Sequence, residues 1–234
     1  MQLTHIAEIR ALAEARKGGK TALNLLLAPH KPLSTKKLAE IPDDRYLSMM
    51  TRCVFQAGFN WKVIEHKWAD FETAFYGFNP KGLAYLAPEK WDAYLEDKRV
   101  VRNWIKLKSV LANAHFVWNV AEQQGSFGKV FADWPVNDQV GLMQWLKKDG
   151  SRLGVSTAMY FIRFMGKDSF ILSADVVARL RASGVAIQDN PTSKKALALA
   201  QEAFNHWHEQ SGLSYTHLSR IAGMSIGQNY VSKV

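Results

Sequence analysis

Between about Val100 and Gln124, apolar residues return every three or four positions: Trp104, Leu107, Leu111, Ala114, Trp118 and Ala121. A half-buried strand needs alternation at every second residue, so this stretch buries one side as a helix. Arg102, Lys106 and Asn113 fall largely outside that stripe. The same period governs the rest of the chain. A first helix ends at Gly18-Gly19, and a short apolar stretch runs to Leu27. APHKPLSTKK, with two prolines, reads as a loop. Pro42-Asp43-Asp44 opens a helix to about Gly58, with Pro in the first turn region and acids at the positive end of the dipole. Asn60 can cap a helix carrying Trp61, Ile64 and Trp68, and Phe71, Phe75 and Phe78 continue that apolar face. Pro88 starts a short helix, and Asn137 can cap one ending near Lys148. Further helices are predicted at about 156–165, 174–182, 193–210 and 215–223, with Gly150, Gly166 and Gly184 where helices should stop. Strand signals are nearly absent, so the expected fold class is all-α.

Charge narrows the partners. The chain of 234 residues carries a formal net charge of +9. A basic balance favours nucleic acid or an anionic surface, and a merely soluble basic protein is the competing reading. Hydrophobic residues make up 47 %, enough for a packed core. No apolar run approaches the roughly 18 residues of a membrane span. The N-terminal MQLTHIAEIRALAEARKGGK is amphipathic and contains acids, unlike a signal peptide, so a cytoplasmic protein is expected. Cys53 is the only cysteine, which excludes an internal disulfide and a cysteine-rich zinc site. His206 and His208 are two apart on a predicted helix, point to different faces and read as surface histidines. No metal and no other cofactor is expected.

The stretch from Ser151 to Leu180 carries the clearest chemistry. A tight turn with Gly154 joins two helices and would expose backbone N–H groups. The second helix adds its own N-terminal N–H groups and dipole, and together they suit a DNA phosphate. Lys147, Lys148 and Arg152 surround the turn with positive charge, and Ser156 and Thr157 can donate hydroxyls. A purely structural helical hairpin has the same outline.

Four segments resemble the DNA-3-methyladenine glycosylase I family, in the family's order. VFQAGFNWKVIEHK (Val54 to Lys67) is similar to its GFQAGLSW segment, and RVVRNWIKLKSVLANA (Arg99 to Ala114) to its IIRNRxKIxAxxxNA. GSFGKVFADWP (Gly125 to Pro135) resembles GSFxxYxW, and LKKDGSRLGVST (Leu146 to Thr157) resembles the LKKRGFKFVGPT hairpin, one residue shorter. The resemblance implies a helix-hairpin-helix DNA glycosylase fold. It implies one all-helical unit over 1–234, with an N-terminal extension at 1–40. The glycosylase core would span 45–184, its hairpin 146–166. Helices at 185–234 would pack on the core through Phe204 and Trp207. It also implies a monomer that flips a damaged base out of duplex DNA and cuts its N-glycosidic bond, working in the cytoplasm on the nucleoid. Alkylated purines such as 3-methyladenine are the expected substrates. Trp61 falls on the family's pocket tryptophan, with Phe55, Gln56 and Tyr160 as further base-pocket candidates. Gly58-Phe59 occupy the loop that enters DNA. An ordinary core tryptophan is the competing reading of Trp61.

The chain departs from the family in three places. The YHDxEWG segment has no counterpart, the Cys/His zinc ligands are missing, and Cys53 stands where the family's pocket acid sits. SADVV (Ser173 to Val177) looks like the catalytic-acid segment of the wider helix-hairpin-helix superfamily. This makes Asp175 the candidate acid, with Ser173 at the site in the alternative register and simple helix capping as the bland alternative. The predicted second hairpin helix, STAMYFIRFMG, contains no lysine, so a monofunctional hydrolase without lyase activity is expected. A DNA-binding protein that kept the fold and lost the pocket acid is the alternative function. An all-α interaction protein unrelated to DNA is a third.

Overall fold

A computed structural model describes residues 3–228, and every regular element among them is helical. In chain order the first helices are α1 (Ile6–Lys17), α2 (Lys20–Leu27), α3 (Thr35–Ala39), α4 (Asp43–Gln56) and α5 (Trp61–His66). Next come α6 (Trp68–Ala74), α7 (Pro80–Ala84), α8 (Pro88–Asp92), α9 (Trp104–Gln124) and α10 (Phe127–Asp133). The last are α11 (Gln139–Asp149), α12 (Val155–Phe164), α13 (Ala174–Ala182), α14 (Lys194–Ser211) and α15 (Tyr215–Met224). No helix among the described residues is long and apolar enough to cross a membrane. The chain forms two compact units: one takes the chain up to Leu33, Pro135–Val140 and everything from Gly166, and the other takes Ser34–Trp134 and Gly141–Met165.

The second unit is built around aromatic side chains of α4, α10 and α12. Tyr46 lies within 5.3 Å of Phe127, 5.2 Å of Phe131 and 6.5 Å of Phe161, and its hydroxyl donates to Leu38 O at 2.7 Å. Trp68, itself half-buried, stacks on the wholly buried Phe71 and Phe78 at 5.2 and 5.6 Å, so the predicted apolar face is core from Ile64 to Phe78 but not at Trp61. Glu72 is the polar pin of this layer. It accepts from both Nη atoms of Arg45 at 2.9 Å, from Ser48 Oγ at 2.6 Å and from Trp68 Nε1 at 3.1 Å. Burial alone would raise its carboxyl, but these hydrogen bonds hold it below the ordinary value.

Several expectations need correcting here. The predicted loop APHKPLSTKK contains helical structure: a 3₁₀ turn at Ala28–His30 and the start of α3, where Ser34 Oγ accepts from Lys37 N at 3.3 Å. In α9 the buried stripe runs through Leu107, Val110, Ala114 and Val117, while Trp104 and Trp118 sit half-buried at its edges. Lys106 and Asn113, expected outside it, are buried. Their burial is possible because each has backbone partners, as described below. Asn137 lies one residue too early to flank α11, which starts at Gln139.

In the first unit, α14 buries Leu197, Ala200, Ala203, Phe204 and Trp207. Phe204 stacks on Phe170 at 4.6 Å and Trp207 donates from Nε1 to Thr4 O at 3.0 Å, so both predicted anchors are wholly buried. Gln139 makes a two-way amide pair with the Phe170 backbone at 2.8 and 2.7 Å. His208 is not a surface histidine: it is half-buried, stacked 4.9 Å from Tyr215, with Nδ1 2.8 Å from Leu213 O.

Candidate nucleic-acid interface and active site

The predicted hairpin is present as α11, a turn and α12, but its turn works differently from the expectation. Gly154 has ordinary extended angles, φ −66° and ψ 174°, and open space where a Cβ would be. The left-handed residue is Arg152, at φ 60°. The position that demands glycine is Gly150, where a Cβ would stand 2.7 Å from both Leu146 O and Leu153 Cδ1. Asn113 of α9 then fastens the turn. Its Oδ1 accepts from Ser151 N at 2.7 Å and its Nδ2 donates to Ser151 O at 3.1 Å, copying a backbone pairing in the interior. Lys147, Lys148, Arg152 and Ser156 are exposed around this turn and Thr157 is half-buried. The sequence carries no sign that separates Gly150 from Gly154 as the constrained position.

The corner between α4 and α5 holds the predicted base-recognition residues, and only some of them reach solvent. Trp61 is 40 % exposed. It is therefore no core tryptophan. Its ring meets Tyr160 edge-on at 5.4 Å and Phe164 at 6.0 Å, so two expected pocket residues, Trp61 and Tyr160, are brought together, and Phe164 joins them unforeseen. Phe55 has to be corrected: it is wholly buried, packs on Phe71 at 4.9 Å and offers no surface to a base. Gln56 is 3 % exposed, and its Oε1 has no hydrogen-bond partner. Phe59 projects from the connecting loop at 44 % exposure. Asn60 caps α5 as expected, with Oδ1 accepting from Lys62 N at 3.0 Å.

Sequence reading missed Lys106 here. Its side chain crosses from α9 to the end of α4, where Nζ donates to Phe55 O at 3.0 Å and Ala57 O at 2.8 Å. The same ammonium stands 5.8 Å from the Phe55 ring centre and 5.9 Å from that of Phe59. Burial, and then the charge of Arg152, lower its pKa from the ordinary lysine value. Cys53 lies in α4 among apolar residues, and burial pushes its thiol up to about 12. At neutral pH it is an uncharged thiol, so the position carries neither a carboxylate nor a thiolate.

The first unit holds the candidate acid. Ser173 flanks α13 and its hydroxyl accepts from Val176 N at 3.3 Å. Asp175 is the second residue of α13, half-buried, with its carboxylate turned to Gly227: a Cβ there would stand 3.0 Å from Asp175 Cγ. A second carboxylate, Asp168, accepts from Tyr215 N at 3.1 Å and Thr216 N at 2.8 Å and so caps α15. Among the described residues no group of three or more His, Cys, Asp or Glu side chains could hold a metal ion.

With no strand among its described residues and a basic helical hairpin, the protein falls among the helix-hairpin-helix DNA glycosylases in fold. The 8-oxoguanine DNA glycosylase of Methanocaldococcus jannaschii superposes on 92 % of this chain and 90 % of its own, with a TM-score of 0.56 and 13 % identity. A structure of that archaeon's 8-oxoguanine glycosylase/lyase in complex with a 15mer DNA containing 8-oxoguanine gives 0.54 and 11 %, covering 92 % and 95 % of the two chains. The 3-methyladenine DNA glycosylase I of Staphylococcus aureus covers 70 % of this chain and 95 % of its own, at 0.50 and 21 %. Within that class the sequence is more specific. Residues 39–167, just over half of the chain, match the methyladenine glycosylase family, and the protein belongs to that family.

Proposed function

We propose that this protein is a DNA N-glycosylase that removes alkylated purines such as 3-methyladenine from duplex DNA by hydrolysis, leaving the strand uncut. It works as a monomer on the nucleoid. The observation that carries the reading is the half-exposed Trp61, held edge-on by Tyr160 and Phe164. The exposed part of the indole is the surface offered to a flat, flipped base. An alkylated purine is a cation, and attraction to an aromatic face grows to about 2 kcal/mol once water is excluded. Such a base is already a good leaving group, so the enzyme has only to flip it and to stabilise the positive charge that develops on the sugar. Flipping costs a few kcal/mol, least for a damaged base. Asp175 is the carboxylate assigned to the sugar cation. That assignment rests on the resemblance of Ser173–Val177 to the superfamily's acid segment. The test is release of free 3-methyladenine from methylated duplex DNA, with no strand scission until alkali or heat is applied.

Trp61→Ala is expected to lower excision at least tenfold, while undamaged duplex binds as before. The melting point should move little, because a residue with 40 % of its surface in water lacks the full core penalty of about 3–5 kcal/mol for Trp→Ala. Trp61→Phe should keep most of the activity. Parallel losses of stability and excision across the two variants would return Trp61 to a packing role.

Duplex binding is expected to be indifferent to sequence and to weaken steeply with salt. Lys147, Lys148 and Arg152 are exposed around the hairpin turn, and each phosphate neutralised contributes a log–log slope of about 0.9. Arg152→Glu should weaken all sequences alike. A flat salt response in fluorescence anisotropy would refute the phosphate role.

One observation favours a second reading, a non-enzymatic DNA binder. Cys53, at the position of the family's pocket acid, is neutral because burial lifts its thiol to about 12. On that reading the salt-dependent binding persists and no alkylated base is released.

A further inference from the structure

We propose that Lys106 is the positioning residue of the base-flipping corner: it ties the loop bearing Phe59 and Trp61 to α9. The inference rests on the DNA reading above and assigns a part to a residue which that reading leaves idle. Three observations converge. The carbonyls of Phe55 and Ala57 lie at the end of α4, where the helix ladder leaves acceptors unpaired. Lys106 Nζ reaches both, at 3.0 and 2.8 Å. Immediately beyond them the chain reverses through Gly58 at φ +68° and Phe59 N donates to Gln56 O at 3.1 Å. The ammonium also faces the Phe59 ring at 5.9 Å, a second hold on the exposed aromatic.

The cost of this arrangement shows that the contact is specific. A lysine only 8 % exposed forfeits most of its hydration, and its pKa falls accordingly. Leucine or methionine at this position would fill the same space without that loss, but would leave the two carbonyls unpaired and the loop without an anchor. A side chain inserted into a base stack must resist the restacking of DNA. Phe59 is 44 % exposed on a short loop, so its position depends on what holds its backbone. The charge of Arg152, at the hairpin turn, acts on Lys106 as well.

The experiment uses the full chain and a duplex carrying a tetrahydrofuran abasic-site analogue next to 2-aminopurine, whose fluorescence rises on unstacking. Lys106→Met is expected to cut lesion-dependent affinity and the fluorescence rise about tenfold, since a hydrogen bond to a charged group is worth on that order. Undamaged duplex should bind within about threefold of wild type, as phosphate contacts are retained. In a Phe59→Ala background the Lys106→Met effect should disappear, because both act through the same side chain. If Lys106→Met does not fold, Lys106→Gln, neutral but still a donor, is read in the same cycle, with an intermediate loss expected. A Lys106 variant with a wild-type fluorescence rise, or losses that multiply with Phe59→Ala, overturns the positioning role alone. A wild type that treats abasic and undamaged duplexes alike overturns the glycosylase reading, and the role of Lys106 with it.

Discussion

Asp175→Asn is expected to lower single-turnover excision of 3-methyladenine by about 10²–10³-fold, the usual worth of one electrostatic group in a preorganised site. The substitution removes the charge and nearly keeps the shape, so the close approach to Gly227 survives. Asp175 sits in the first turn of α13, not at its cap, so Asn gives up only a charge–dipole contact of about 0.3–1 kcal/mol, and the melting point and the affinity for undamaged duplex should change little. Ser173→Ala is the paired control. Ser173 Oγ accepts from Val176 N at 3.3 Å, and losing that cap costs about 1 kcal/mol without touching excision. Should Asp175→Asn excise normally while Ser173→Ala abolishes release, the register is wrong and the acid lies elsewhere. If neither change matters, Asp175 is a structural carboxylate that meets Gly227.

Asn113→Leu is expected to weaken DNA binding as a whole, although the side chain lies in the interior. The side chain is wholly buried and satisfies both backbone groups of Ser151, at 2.7 and 3.1 Å. Leucine is close in size but leaves a donor and an acceptor unpaired. Each such group costs about 1–3 kcal/mol, so a loss of roughly 2–6 kcal/mol in urea unfolding is expected. The damage also reaches function, because the turn that Asn113 fastens holds Arg152 at φ 60°. Affinity for duplex DNA should fall about as far as in Arg152→Glu, even though Asn113 itself contacts no phosphate. Stability lost with binding intact would mean that the turn keeps its form unaided.

These two residues illustrate what a sequence can and cannot disclose. Helix stops at Gly166 and Gly184, the cap at Asn60 and the start at Pro88 are local events, decided within one turn of chain, and they were legible. So were Phe204 and Trp207, because an apolar stripe announces its own burial. Lys106 and Asn113 were not. A polar side chain paid for by a backbone partner 38 to 51 positions away looks the same in sequence as one facing water. The turn at 150–154 was legible as a turn, but which glycine it needs depends on Leu153 folding back over Gly150. Phe55 and Trp61 were both read as pocket residues, yet the first is wholly buried and the second 40 % exposed. The α4 end that separates them is set by tertiary contacts through Lys106, which no periodicity records.

The first unit is stitched from distant parts of the chain: helices α1 and α2, the short run Pro135–Val140 and the segment from Gly166 onward. The carboxamide of Gln210 accepts from Ile6 N at 3.1 Å, and His217 lies 3.1 Å from Leu27 O. During synthesis, α1 and α2 therefore emerge long before their partners exist. At about 5–20 residues per second, they wait on the order of ten to forty seconds, for most of which the other unit is itself being made. Over that interval α1 and α2 have only each other to pack against, and the surface of α1 that α14 and α15 later cover stays exposed. A ribosome-associated chaperone that shields amphipathic helices would thus act on the earliest part of this chain, and slowing translation after Met165 would prolong the hazard rather than relieve it.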